Sequence, residues 1–331
     1  MSRMRSIELT SSALRLEVLT AGASVRRLQV TEPDGSHVDV ILGHRDREQY
    51  ARDGGYLGAI AGRVANRIDH GRFTLDDVEH QVPALDRGNA LHGGEFGFDR
   101  IEWAVVEEAP DHVVLSVTSA DGDQGFPGEL TAYAAYRLGP DSVKITLEAT
   151  TTQPTVVNLT NHSFFNLDGE TSADIEGHVL HVAADSWLPT RADQIPTGEM
   201  AAVDGSVFDL REPRRLGDVH AHDWEQLAVA GGIDHHFVVP GEGLRPMARL
   251  VGTSGRVLEV LSDQQGMQVY TGAHFDGTDV GLSGRPLAHR AGIALETQGF
   301  PDAPNQPSFP GITLRPGETY RATTVWQLGR I

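Results

Sequence analysis

The sequence predicts an all-β fold of packed sheets, and three features of the chain support this prediction. In segment 143–149, apolar residues alternate with Lys144, Thr146 and Glu148, a period of two that is typical of a half-buried strand. Turn-forming residues are abundant, with 37 Gly and 17 Pro in the chain. Stretches with helical periodicity are few, and segments 45–52 and 219–229 are the best candidates for short helices.

Further strands are expected at 113–118, 131–138 and 320–328. Segment 249–261 is interrupted by Thr253-Ser254-Gly255, which predicts a hairpin with a short loop. The chain has no Ser/Gly-rich linker, low-complexity tract or repeat, so residues 1–331 are expected to form a single domain. The length of 331 residues also leaves a two-domain arrangement open.

Composition and charge exclude several classes of protein. With 39% hydrophobic residues the chain can bury a sizeable core, and no apolar run approaches the ~18 residues that span a bilayer. The basic N-terminus lacks the apolar segment of a secretory signal, so a cytoplasmic protein is expected. Because the chain has no Cys, disulfides, thiolate metal sites and a Cys nucleophile are excluded.

The chain is strongly acidic, with a formal net charge of −19. This charge disfavours nucleic acids and anionic membranes as partners, because both are themselves negatively charged. The only lysine is Lys144, which lies on the predicted solvent face of its strand and is badly placed for Schiff-base chemistry.

Six segments contain more polar, Gly and His residues than strand packing requires. They are 62–68 (GRVANRI), 91–94 (LHGG), 158–169 (NLTNHSFFNLDG), 233–237 (IDHHF), 266–272 (GMQVYTG) and 294–298 (ALETQ). Asn, Gln, Asp, Arg and His together provide the donors and acceptors that a polyhydroxylated ligand needs. Acid–base chemistry on a sugar is therefore the favoured class of function.

Metal binding is the first alternative, and the spacing of the histidines argues against it. His235 and His236 are adjacent, so on a strand they point to opposite faces. His92 and His162 are 70 positions apart and can meet only through the fold. Zinc sites usually show close pairs of ligands, so a metal site is not expected from this spacing.

Phosphate binding and a Ser-His-Asp triad are weaker alternatives. The Gly93-Gly94 pair after His92 has neither the spacing of a phosphate loop nor an evident following helix. The chain also lacks the G-x-S-x-G elbow of many serine hydrolases.

The ordered set of motifs resembles the aldose 1-epimerase (galactose mutarotase) family over roughly residues 20–328. The matching pieces are 62–68, 91–94, 158–163, 196–199 (PTGE), 234–235, 268–271 and 295–298. Each motif alone is weak, whereas the whole set in this order is highly specific. The resemblance implies a large antiparallel β-sandwich with an open sugar-binding cleft, and no cofactor.

The resemblance also implies roles for individual residues. His162 matches the family's general acid and Glu296 its general base. The residues that match substrate contacts are Asn66, Arg67, His92, Asp234 and Gln268.

Structural roles remain open for several of these residues. Arg67 could close a salt bridge and Asp234 could form a turn, while Arg63, His235 and His236 are expected to be scaffold. Trp187 and Phe309 are expected either at the cleft rim or in the core.

The sequence departs from the family pattern at two positions. Phe164 stands where the family commonly has Tyr after the His-Ser pair, and Ala273 stands where the family usually has Asn. Both changes leave the pair of His162 and Glu296 intact, but they leave the preferred sugar open.

The expected function is therefore an aldose 1-epimerase that interconverts the α and β anomers of a free aldohexose such as glucose or galactose. One alternative is a relative that acts on a hexose 6-phosphate or another modified sugar. Another is a non-catalytic sugar-binding protein on the same fold. A glycosidase would need two carboxylates, whereas the matched pair here is one His and one Glu. The oligomeric state stays open between monomer and homodimer.

Overall fold

The computed structural model describes residues 4–53 and 55–331, which form mostly strands. The strands are β1 (Ser6–Thr10), β2 (Leu14–Leu19), β3 (Val25–Thr31), β4 (His37–Asp39), β5 (Ile60–Ala61), β6 (Arg67–Ile68), β7 (Arg72–Leu75), β8 (Val78–Gln81), β9 (Ala90–Leu91), β10 (Ala104–Ala109), β11 (His112–Ser119), β12 (Leu130–Leu138), β13 (Ser142–Thr151), β14 (Thr155–Val156), β15 (Thr160–Asn161), β16 (Phe164–Phe165), β17 (Val179–Val182), β18 (Ser186–Trp187), β19 (Ala201–Ala202), β20 (Arg214–Arg215), β21 (Asp234–Val238), β22 (Arg245–Val251), β23 (Arg256–Ser262), β24 (Gly266–Tyr270), β25 (Ile293–Gln298), β26 (Thr313–Leu314) and β27 (Tyr320–Arg330).

Helices are short and few within these described ranges. They are α1 (Glu48–Asp53), α2 (Leu216–His220) and α3 (Glu225–Ala230), with 3₁₀ turns at Asp69–Gly71, Phe98–Arg100, Asp123–Gly125 and Ala303–Asn305. None of these helices is long and apolar enough to cross a membrane. The α-helices lie where helices were predicted: α1 overlaps segment 45–52, and α2 and α3 overlap segment 219–229.

Two antiparallel sheets form the body of the protein. The nine-stranded main sheet has the order β10-β11-β12-β13-β27-β23-β22-β17-β20. The six-stranded sheet, called here the site sheet, has the order β16-β25-β24-β21-β18-β19. The remaining strands form a four-stranded sheet, β1-β2-β3-β4, and four two-stranded ribbons. The expected all-β class is confirmed, as are the strands predicted at 113–118, 131–138, 143–149 and 320–328 and the hairpin, which is β22–β23.

The main sheet and the site sheet pack face to face around one apolar core. Val143 and Ile145 of β13 are buried in this core, while Lys144 between them is exposed, as the alternation of a strand requires. Phe165 of the site sheet packs edge-to-face on Trp326 of the main sheet, with ring centroids 5.0 Å apart. This packing forms the sandwich and fixes one face of the site sheet toward the core.

Arg63 is a structural residue, as expected, and it ties the segment 62–68 to a neighbouring loop. Its side chain is only 2% exposed. The guanidinium donates hydrogen bonds of 2.7–3.1 Å to Ser119 Oγ and to the carbonyl oxygens of Ser119, Ala120, Pro127 and Gly128. A buried Arg of this kind satisfies carbonyl groups that would otherwise lack partners.

Replacement of Arg63 should therefore cost stability. We expect Arg63→Ala to lower the free energy of unfolding by roughly 3 kcal/mol, because several buried acceptors lose their donor. Urea denaturation followed by circular dichroism measures this change. The control is Arg137→Ala, at an exposed ion pair with Asp111, for which a change within ~0.5 kcal/mol is expected. Equal effects of the two substitutions would contradict a structural role for Arg63.

Candidate active site

The register of the site sheet places three polar side chains next to one another. Strand pairing sets Gln268 of β24 beside Glu296 of β25, and His236 of β21 beside Gln268. Leu295 lies in the core between the sheets, so its neighbour Glu296 points to the opposite face. The same alternation places Val269 in the core and Gln268 on the face of Glu296. The sheet therefore presents these polar groups away from the core.

Glu296 is a buried carboxyl group. Its side chain is 2% exposed, and its Oε2 has no hydrogen-bond partner among the described residues. Burial raises the pKa of Glu296 well above its ordinary value, and the nearby Asp234 raises this pKa further, while Arg67 acts in the opposite direction. Such a carboxyl group holds a proton far more readily than an exposed one.

His162 is held beside Glu296 by the short strand β15, which pairs with β5. The backbone N–H of His162 donates to the carbonyl oxygen of Ala59, and its own carbonyl oxygen accepts from the N–H of Gly58. Its Nε2 lies 3.5 Å from Glu296 Oε1. Burial lowers the pKa of His162 to about 3, so the free imidazole is neutral at physiological pH.

Asn161 shapes the turn that carries His162. Its side-chain amide donates to the carbonyl oxygen of Gly58, and its Oδ1 accepts from both the N–H and the hydroxyl of Ser163. Asn161 therefore fixes the backbone on both sides of His162, which explains why Asn and Ser flank the histidine in this segment.

His92 and Asn66 hold each other through reciprocal hydrogen bonds. The N–H of His92 donates to the carbonyl oxygen of Asn66, and the N–H of Asn66 donates to His92 Nδ1 over 3.1 Å. Both residues have a positive φ, +48° and +62°. Since Nδ1 accepts from a backbone N–H, the proton of the neutral imidazole must lie on Nε2. His92 can therefore donate a hydrogen bond from Nε2.

Gly93 allows this turn to approach the segment 62–68. A Cβ atom at Gly93 would lie 1.9 Å from the carbonyl oxygen of Gly62, and the φ of Gly93 is +97°. A side chain at this position would therefore collide with the backbone beside Arg63. The glycine that follows His92 serves backbone packing and not phosphate binding.

Arg67 and Asp234 each have a polar partner next to the site. Arg67 Nε donates to Asp86 Oδ2 over 2.8 Å, so the salt bridge considered for Arg67 is present. Asp234 Oδ1 accepts from the side-chain amide of Gln268 over 2.6 Å. Burial raises the pKa of Asp234, while Arg67 acts to lower it. Both side chains are thus oriented by neighbours of complementary chemistry.

These residues surround a cavity of about 560 Å³. Its walls include six of the seven predicted site residues, namely Asn66, Arg67, His92, His162, Asp234 and Glu296. Gln268 instead lines a much smaller cavity behind the first one, beside His236. The fold therefore brings together residues that are up to 230 positions apart in the chain.

His235 and His236 lie in the scaffold of the site sheet, as expected, and both are buried. Trp187 packs against Phe208 and belongs to the main core, whereas Phe309 packs against Phe300 in a smaller apolar cluster. Neither aromatic residue lines the large cavity. Of the two expected locations, both residues therefore take the apolar core and not the cleft rim.

Several residues on the cavity wall were not singled out from the sequence. The polar ones are Tyr56, Asp86, Arg87, Gln194, His274 and His289. His274 lies two residues after the end of the 266–272 cluster, so its position in the chain offered a weak signal. The others lie in loops without a distinctive pattern, and only the fold reveals that these loops meet at the cavity.

The two departures from the family pattern lie in different environments. Phe164 is fully buried, with its ring centroid 4.9 Å from that of His162, and it does not line the cavity. Ala273 does line the cavity. Of the two positions, only Ala273 can therefore alter the space available to a ligand.

A metal ion fits this donor set poorly, although the fold does bring His92, His162 and Glu296 together. One ligand atom from each of these residues lies within 4.8 Å of the others. The Nδ1 lone pair of His92 is engaged by the N–H of Asn66, so Nε2 carries the proton and has no lone pair to offer. The remaining imidazole and single carboxyl group fall short of the three protein ligands of a catalytic zinc site.

Comparison with known proteins agrees with this fold. The family described as Aldose 1-epimerase matches residues 5–327. Galactose mutarotase of Rattus norvegicus is 42% identical over 97% of this chain and 93% of its own length, and that of Homo sapiens is 41% identical with the same coverage. A solved aldose epimerase homologue from C. elegans superposes with a TM-score of 0.92 at 27% identity, covering 99% of this chain and 100% of its own.

The fold and the similarity to named mutarotases and aldose 1-epimerases define a class of enzyme that acts on carbohydrates by isomerisation. The chain belongs to the aldose 1-epimerase family.

The reciprocal hydrogen bonds of His92 predict its tautomer. We expect His92 to be protonated at Nε2 and not at Nδ1, and to stay neutral below pH 6.5 because burial, followed by the effects of His162 and Arg67, keeps its pKa well below that value. Two-dimensional ¹H–¹⁵N NMR of the imidazoles measures this. His289 is the internal control, because its Nδ1 donates to the carbonyl oxygen of Ala273 and must carry the proton. A proton on Nδ1 of His92 would refute the assignment.

Proposed function

We propose that the chain interconverts the α and β anomers of free aldohexoses such as glucose or galactose, with His162 and Glu296 as its proton-transfer pair. One observation carries the proposal: His162 Nε2 and Glu296 Oε1 lie 3.5 Å apart at the buried end of a cavity lined by hydroxyl-binding groups. Neutral hexoses present hydroxyls on every side, which suits a wall of Asn, Arg, Asp and His side chains.

Ring opening needs one base and one acid at neighbouring oxygens. The anomeric hydroxyl and the ring oxygen are both bonded to C1, so two groups in close contact can reach both. Glu296 removes the proton from the anomeric hydroxyl while His162 protonates the ring oxygen, and the C1–O5 bond breaks to give the aldehyde. Rotation about the C1–C2 bond then exposes the other carbonyl face, and the two residues reverse their roles to close the ring.

Burial determines how many exchangeable protons the pair of His162 and Glu296 holds. Burial raises the pKa of Glu296 and lowers that of His162, so at any pH between these two shifted pKa values the pair holds one exchangeable proton in total. A pair with one proton always contains one acid and one base. In the direction described above the proton starts on His162, and transfer from Glu296 across the 3.5 Å gap prepares this form.

Other cavity residues hold the sugar while C1 turns. Asn66 Oδ1 accepts from the N–H of Arg67, which leaves the side-chain NH₂ of Asn66 to donate. Asp234 accepts from sugar hydroxyls, and His92 donates from Nε2 near the ring oxygen. Gln268 acts through Asp234, which it orients. Fixing the ring in this way reduces the entropy that the reaction must lose at the transition state.

The charges of the cavity favour a neutral sugar over a hexose phosphate. The carboxyl groups of Asp86, Asp234 and Glu296 outnumber the guanidinium groups of Arg67 and Arg87 on the cavity wall, and Arg67 Nε is engaged by Asp86. A phosphate group needs a surplus of cations. His162 and Glu296 are both present and lie 3.5 Å apart, which favours catalysis over sugar binding alone.

We further propose that residues 1–331 work as one domain in the cytoplasm, as a monomer or homodimer, with a small-molecule sugar as the only partner. The absence of Cys supports a reducing compartment, and the net charge of −19 disfavours nucleic acid and anionic membranes.

Glu296 and His162 provide the direct test of the mechanism. We expect Glu296→Gln and His162→Asn each to lower kcat for α-glucose and α-galactose by about 10²–10⁴-fold, because each removes one proton transfer. Polarimetry of freshly dissolved sugar measures the rate after subtraction of the uncatalysed drift. Glu318→Gln, at an exposed carboxyl group, is the matched control and should retain wild-type activity. Full activity of Glu296→Gln, or no acceleration by the wild type, would refute the proposal.

The pKa directions predict an unusual pH profile. As pH falls through 6.5, kcat/KM should stay constant, because His162, with its pKa lowered to about 3, does not take up a second proton. On the alkaline side kcat/KM should fall only above the raised pKa of Glu296, where the pair loses its last proton. Polarimetric rates from about pH 5 to pH 9, extrapolated to zero buffer, measure the profile. A loss of activity centred near pH 6.5 would contradict it.

A further inference from the structure

Gln194 is a buried polar residue on the wall of the large cavity. The residue is 5% exposed, and it lines the cavity together with Asn66, Arg67 and Asp234. Within the described ranges, no hydrogen bond joins its side-chain amide to another residue. Burial of an amide without a partner costs folding free energy, so the position of Gln194 indicates a partner that enters the cavity.

The backbone at Gln194 takes up a conformation that is uncommon for residues other than glycine. Its φ is +65°, in the left-handed region. The N–H of Gln194 donates to the carbonyl oxygen of Arg191, and the N–H of Arg191 donates to that of Ile195, both over 2.9 Å. These bonds close a tight turn, residues 191–195, which we call the cavity turn. Backbone strain of this kind is common where a side chain is held for a ligand.

Two sets of contacts fix the cavity turn on the body of the protein. Arg191 forms ion pairs with Asp69 and Asp193, with N–O distances of 2.7 and 2.9 Å. Just before the turn, the side-chain amide of Gln226 in α3 exchanges two hydrogen bonds of 3.0 Å with the N–H and the carbonyl oxygen of Thr190. The turn is therefore held from both sides of the cavity, and the location of Gln194 is built into the fold.

The small cavity behind the wall offers Gln194 little room for a partner. Gln194 lines this cavity as well, beside His236 and Gln268. Its volume of about 10 Å³ is at the lower limit for one water molecule. The large cavity, of about 560 Å³, is therefore the side from which a sugar can reach the amide.

The register of the site sheet places Gln194 away from the anomeric centre. Glu296, Gln268 and His236 lie on three neighbouring strands, and neighbouring strands are about 4.8 Å apart. Gln194 lies beside the second and third of these strands, since it shares the small cavity with Gln268 and His236. With C1 of the sugar at Glu296, the group within reach of Gln194 is a ring hydroxyl other than the anomeric one.

The amide of Gln194 offers both a donor and an acceptor to that hydroxyl. Its neighbours on the wall offer one or the other. The Oδ1 of Asn66 is engaged by the N–H of Arg67, the guanidinium of Arg67 only donates, and an ionised Asp234 only accepts. A hydroxyl group both donates and accepts, so Gln194 can pair with it in either sense.

We propose that Gln194 is a further substrate-binding residue, which recognises one ring hydroxyl of the sugar, at C2, C3 or C4, and so contributes to the choice of sugar. The inference rests on the proposed function, because it places the anomeric carbon at His162 and Glu296. Gln194 takes no part in proton transfer. Its contact is made equally in the bound sugar and in the transition state, so it lowers KM and leaves kcat unchanged.

The test compares glucose with its deoxy analogues by polarimetry. Gln194→Met keeps the length of the side chain and removes its donor and acceptor, so kcat/KM for α-glucose should fall about 3- to 10-fold, through a higher KM. Of 2-deoxy-, 3-deoxy- and 4-deoxyglucose, the one that lacks the contacted hydroxyl should react equally well with wild type and variant, and the other two should show the loss seen with glucose. Gln153→Met, at an exposed residue that does not line the cavity, is the matched control and should keep wild-type values.

A second variant covers a failure of Gln194→Met to fold. Asparagine adopts a positive φ readily, so Gln194→Asn keeps the cavity turn while it withdraws the amide by one methylene group, and it should give the same pattern. Equal losses on glucose and on all three deoxy sugars, or no loss on any of them, would overturn the assignment of Gln194 and leave the proposed function standing. No acceleration of glucose by the wild type would overturn both proposals.

Discussion

The buried contact between His162 and Glu296 is the constraint on which the rest of the site depends. In water a glutamate and a histidine of this kind would titrate near their ordinary values and would rarely share a proton. The sandwich removes both groups from solvent, which penalises the charged form of each. The proposed proton transfer depends on this burial, because neither group is favoured in its charged form.

The site sheet holds Glu296 in this buried position more rigidly than a loop would. Glu296 lies in β25, whose six residues are all buried, with the apolar neighbours facing the main core and Glu296 facing the cavity. Polar atoms of Glu296, His162 and Gln268 remain without protein partners within the described ranges. Leaving such groups unpaired costs folding free energy, and proteins tolerate that cost mainly at functional sites.

The segment 62–68 and the turn at His92 form the opposite wall, and their geometry depends on backbone contacts. Asn66 and His92 both take up left-handed backbone conformations and hold each other through reciprocal hydrogen bonds. These bonds fix the tautomer of His92, which makes it a donor to a ligand and a poor metal ligand. One local arrangement therefore leaves His92 the free donor that the proposed sugar contact requires, and it disfavours metal binding.

The sequence by itself determined the all-β class, most of the long strands and the family, because alternation and ordered motifs are local signals. It also supplied six residues of the cavity wall, although their roles rest on resemblance. Only the tertiary structure decided that Gln268 lies behind Asp234, that Trp187 and Phe309 are in the core, and that His274 and His289 reach the cavity. The reason is physical: strand register and loop approach join residues distant in the chain, and no local pattern encodes which of them meet.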